Sequence, residues 1–131
     1  MTRIIVGSVA AGSLVLASYG LAAERDEALA SSFLYCAYVS RFFVGFMSQP
    51  GANRDGICGY EQSAILFRLA AAIKSDGEFL KANEPKAIEK VLANAEAERK
   101  GQGRMTDKAR ECHQLFVSKA APVLKEKPSS K

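Results

Sequence analysis

Apolar residues recur along this chain at helical rather than alternating spacing, and they are densest at residues 33–47, FLYCAYVSRFFVGFM. That stretch holds six of the eleven aromatic residues and one charge, Arg41, so it is expected to be the helix around which the rest folds. Advancing about 100° per residue from Leu29, one strip contains Ser31, Leu34, Tyr38, Arg41, Gly45 and Ser48, and its polar members mark it as the watered face. Leu29, Phe33, Cys36, Ser40, Phe43 and Met47 form the opposite strip, with a second apolar strip of Tyr35, Val39, Phe42 and Phe46 beside it. Together they exceed the ~100° arc of an ordinary surface helix, so two neighbours, or one neighbour and a partner, are needed to cover them. A stretch of 15 residues containing an arginine falls short of the ~20 needed to cross a bilayer.

Pro50 and Gly51 end this helix by Gln49, and residues 50–59, PGANRDGICG, are dense in turn formers and predict a loop. A second helix is expected from Tyr60 to Lys74, stopping at Ser75, Asp76 and Gly77, followed by a short turn or helical fragment over 78–83. Glu84 and Pro85 suggest a fresh helix start, since proline in the first turn loses no intrahelical bond. Ala87, Ile88, Val91, Leu92 and Ala95 mark its apolar face, and Gly101 to Gly103 end it. Thr106 is the expected N-cap of a fourth helix, whose inner face is Ala109, Cys112, Leu115, Phe116 and Ala120 and which Pro122 disturbs or terminates. The pattern predicts an all-α domain, a small four-helix bundle.

Residues 1–23 have one basic residue, an uncharged Val/Leu/Ile/Ala run and small residues before the charged group Glu24 to Glu27, which is the layout of a secretory signal peptide. Cleavage after Ala22 or Ala23 leaves one helical domain, 24–124, and a basic tail, 125–131; an uncleaved anchor is the competing account. The expected location is periplasmic or secreted. Acids outnumber bases eleven to eight over 24–98, whereas bases lead nine to three over 99–131, so any anion-seeking surface belongs to the C-terminal third.

Export puts the three cysteines, Cys36, Cys58 and Cys112, in an oxidising environment. In an antiparallel bundle Cys36 lies about 18 Å and Cys112 about 12 Å along from the same end, at 1.5 Å per residue. Cys58 lies at that end itself. A disulfide needs α-carbons within ~7 Å, which favours Cys36 with Cys112 and leaves Cys58 as a free or intermolecular thiol. A misplaced helix end would instead favour Cys58 with Cys112.

Candidate chemistry is sparse. His113 follows Cys112 directly, but adjacent helical residues diverge by about 100° and do not pair. Glu96 and Glu98, and Asp107 and Glu111, have basic helix neighbours that make solvated ion pairs the simpler expectation. No C-x-x-C, H-E-x-x-H, G-x-S-x-G or phosphate loop occurs; no catalytic group, metal or cofactor is expected, and nucleic acid is not an expected partner. The expected function is a non-enzymatic protein-binding module of the cell envelope, such as an inhibitor, immunity-like factor, chaperone or accessory factor. Its interaction face would be Tyr35, Val39, Phe42 and Phe46 with Arg41, toward another protein or a second copy. The alternative is a carrier enclosing a small apolar ligand between its helices.

Overall fold

A computed structural model describes residues 24–48, 50–51 and 54–126. The expected signal segment, 1–23, and most of the expected basic tail lie outside these residues. Four main helices form a bundle: α1 (Glu27–Met47), α2 (Arg54–Ile73), α3 (Gly77–Arg99) and α4 (Met105–Leu115). The last continues through a π-helical turn, Phe116–Ala120, into α5 (Ala121–Leu124). No strand occurs among the described residues.

The aromatic stretch does supply the central helix. α1 packs most extensively on α2, then on α3, and also on α4. Its inward residues Phe33, Cys36, Ala37, Val39, Ser40 and Phe43 are buried, and Phe33 meets Phe67 of α2 with ring centroids 6.1 Å apart. Burying one such ring stabilises the fold by roughly 1.5–3 kcal/mol, so these apolar contacts outweigh the surface ion pairs described below. Its start is fixed by Asp26, whose carboxylate accepts from the Leu29 N–H at 3.0 Å, while its own N–H donates to the Lys74 carbonyl at the end of α2. α1 is long and apolar enough to cross a membrane by length and composition, but three packed neighbours and Arg41 within it give it the setting of a core helix.

The expected watered strip is wet at its two ends and covered between them. Ser31, Arg41, Gly45 and Ser48 are exposed, but Leu34 is 1% exposed and Tyr38 is half-buried. α3 crosses α1 over Leu34, where Ala87 packs into the same core. Polarity averaged along the strip concealed this crossing.

Three boundaries differ from expectation. α2 begins at Arg54 rather than Tyr60: Gly51, at φ +85, turns the chain ahead of it, and Asp55 sits favourably in the positive first turn. α3 begins at Gly77, so 78–83 is helical and Pro85 lies inside the helix rather than at its start. Asp76 ends one helix and caps the next: its Oδ1 accepts from the Phe79 N–H at 2.8 Å. α4 begins at Met105 without a side-chain cap from Arg104 or Thr106; instead Glu98 Oε1 accepts from the Met105 N–H at 3.3 Å. The glycine stop is as read: the N–H of Gly101, at φ +77, donates to Glu98 O and the Gln102 N–H donates to Ala97 O, the paired bonds of a left-handed C-terminal cap. Pro122 does not terminate the last helix. The π turn before it widens the ladder, the Ala121 N–H donating to Phe116 O, and the chain stays helical to Leu124.

A charged collar closes one end. Arg25 bridges Asp76 and Glu27, each at 2.6 Å, and Lys74 Nζ donates to the Glu24 carbonyl at 3.2 Å. Lys74 Nζ also lies 3.3 Å from Glu126 Oε1, close enough for an ion pair but not aligned as a hydrogen bond.

Candidate functional site

Cys36 and Cys112 form a disulfide with α-carbons 5.5 Å apart, joining α1 to α4. Ala109, Arg110, His113 and Phe116 all lie within about one turn of Cys112, so the bridge sets their position as well. They form one wall of a cleft of about 720 Å³ that opens between α1, α2 and α4. Its apolar lining is Val39, Phe67, Ala109 and Phe116; Val39 and Phe67 are almost fully buried at its floor, and Phe67 meets the half-buried Phe116 edge to face at 5.4 Å. Its polar groups are Ser40, Tyr60, Ser63, Thr106, Arg110 and His113. Besides Tyr60 and Phe67, α2 lines the cleft with three small residues at helical spacing, Gly56, Gly59 and Ser63, and a β-carbon added at Gly59 would meet nothing within 4 Å. That run of small residues was the available sequence signal for the cleft, hidden inside a segment whose composition suggested a loop.

Compared with known proteins, the chain matches no family model, no curated protein and no solved structure. Its function must therefore be argued from the geometry.

The proposed interaction face is divided by the fold. Val39 is 1% exposed and contributes to the cleft. Tyr35 is half-buried under α3, where Asn94 Nδ2 donates to its hydroxyl at 2.6 Å and Lys90 Nζ stands 4.6 Å from its ring centroid. Phe42 is half-buried, and Phe46 is 64% exposed, stacking on Phe42 and meeting Phe43 edge-on. Phe43 in turn stacks on Tyr60 at 5.1 Å, linking this aromatic end to the cleft. Arg41 is exposed on another side of α1, with its charge felt at the Tyr38 phenol. Burial, then the adjacent Glu84 carboxylate, pushes that phenol above its ordinary range.

Cys58 is a free, exposed thiol near the start of α2, on a helix rather than the expected loop end. His113 is exposed at the cleft. Glu96 pairs with Arg99 at 2.8 Å and Asp107 with Arg110 at 2.9 Å, the ion-pair roles expected of these carboxylates. Among the described residues, no group of three His, Cys, Asp or Glu side chains is placed to hold a metal ion.

Proposed function

We propose that this chain is an exported, non-enzymatic binding protein that takes a small, largely apolar molecule in the cleft between α1, α2 and α4. The observation carrying this reading is the cleft itself: at about 720 Å³ it falls in the ~300–1,000 Å³ range of small-molecule sites, with apolar walls and a few polar groups. Export is supported by the signal-like segment 1–23 and by the Cys36–Cys112 bridge, a bond that persists in oxidising compartments. A hydroxyl and an imidazole share the cleft, but among the described lining residues there is no carboxylate to orient the ring for nucleophilic catalysis, which favours binding over turnover.

A protein partner is the second reading. The observation favouring it is the exposed Phe46, continuous with Phe42 and Phe43 at the end of α1.

A neutral naphthylamine dye, fluorescent in apolar surroundings, tests the first reading with the oxidised protein and a Gly59→Leu variant. The leucine projects into open space and removes a glycine from a helix, so the variant should fold at least as stably. Saturable fluorescence that disappears in Gly59→Leu supports the cleft as the site. Equal binding by both proteins, or none by the parent, overturns it.

A further inference from the structure

The geometry points to a specific ligand class for this cleft: a single-chain amphiphile with a carboxylate head, its hydrocarbon body on the half-buried Tyr60, Ala109 and Phe116 and its head at Arg110 and His113. The inference rests on the binding reading above and adds the charge of the ligand. Every polar side chain among the described lining residues can donate: four hydroxyl residues, one imidazole and one guanidinium. None is a carboxylate. A ligand whose polar end only accepts hydrogen bonds therefore matches this lining, whereas an ammonium head would meet the Arg110 charge. Arg110 is exposed and pairs through one terminal nitrogen with Asp107 at 2.9 Å, so a ligand carboxylate would compete with Asp107 for the guanidinium. The described part of the C-terminal segment agrees in sign, since bases outnumber acids seven to three over 99–126. The hydrocarbon and the anion have separate places: the aromatic groups Phe67 and Phe116 touch each other, while Arg110 and His113 are exposed.

Calorimetric titration of the oxidised protein with dodecanoate, dodecanol and dodecyltrimethylammonium separates charge from chain burial. Dodecanoate should bind about tenfold more tightly than dodecanol, a factor within reach of one partly solvated charge-assisted contact. Dodecyltrimethylammonium should bind most weakly. Arg110→Gln should remove the preference for dodecanoate while leaving dodecanol binding unchanged. Asp107→Asn, which releases Arg110 from its ion pair, should strengthen dodecanoate binding; a purely structural role for the pair would not produce opposite shifts from the two variants. Equal affinity for dodecanoate and dodecanol overturns the anion inference but keeps the cleft reading. Absence of binding by all three overturns both. Arg110-dependent binding confined to a peptide's free C-terminal carboxylate, or to anionic vesicles, without dodecanoate binding, also overturns the inference and assigns the cleft to a macromolecular partner.

Discussion

Cys36 and Cys112, separated by 76 residues of sequence, hold their α-carbons 5.5 Å apart and so tie the middle of α1 to the cleft-forming helix α4. A closed loop of that length restricts the unfolded chain, and the chain-entropy account assigns it about 4 kcal/mol of stabilisation. Replacing both cysteines by alanine should lower the free energy of unfolding by about that amount, measured by urea denaturation without reductant. Reductant should lower the midpoint of the parent protein and leave the double variant unchanged. A parent protein indifferent to reductant would falsify the assigned constraint.

Phe67 and Phe46 distinguish core from surface aromatic roles. Phe67 is 2% exposed between Phe33 and Phe116, whereas Phe46 is 64% exposed. Phe67→Ala should cost about 3–5 kcal/mol, the transfer and cavity cost of a deleted core ring. Phe46→Ala should stay within about 0.5 kcal/mol of the parent. Equilibrium denaturation checks both; similar losses at the two sites would mean that the end of α1 is covered in solution.

The difference between these phenylalanines also marks where sequence reasoning succeeds and where it stops. Helical period identified the apolar faces of α1 and α4, and helical rise in an antiparallel bundle selected Cys36 with Cys112, because both follow from the regular geometry of helices. Leu34 was misassigned because its strip neighbours Ser31 and Arg41 are polar, while its burial comes from α3 packing over it. Asp76 was read as the end of one helix, although the same carboxylate starts the next. The place of the cleft was missed for a related reason: part of its lining is Gly56 and Gly59, which composition alone assigns to a turn. What remained hidden in sequence was where α2 and α3 begin and how α3 lies on α1.

Stability should fall at both pH extremes, for opposite reasons. Burial first, opposed by the Asn94 hydrogen bond and reinforced by Glu111, raises the Tyr35 phenol above its ordinary value of 10.0, and burial and Glu84 raise Tyr38 in the same direction. With pKa values raised on folding, their contribution is complete below pH 10.0 and is lost as pH rises through the folded values, because the unfolded chain releases these protons first. Asp76 behaves inversely: the Arg25 guanidinium and then the Phe79 N–H hold its carboxyl below 3.8, so its contribution is present above that pH and is lost as pH falls through the depressed value. Thermal midpoints across pH should show both limbs. Tyr35→Phe should flatten the alkaline limb, and Asp76→Asn, which retains a capping side chain, should flatten the acid limb; unchanged slopes in both variants would disconnect these groups from the pH dependence.

Pro85 stands inside α3, eight residues beyond Gly77, where a regular helix would donate an N–H to the Lys81 carbonyl. Proline has no such hydrogen, and its ring crowds the same carbonyl, a combined cost of about 3 kcal/mol in a helix interior. The helix continues because Leu80 before it and Ala87 and Val91 after it are buried in one core, so apolar contact on α1 offsets the broken rung. Pro85 is itself exposed, and an alanine there needs no repacking. Pro85→Ala should therefore raise the free energy of unfolding by about 2 kcal/mol, somewhat below the full helix penalty because the unfolded chain also gains freedom. Amide hydrogen exchange should show the α3 residues flanking the substituted position more strongly protected in the variant than in the parent. A loss of stability instead would mean that α3 requires the proline's restricted φ to meet α1, rather than tolerating it at a cost.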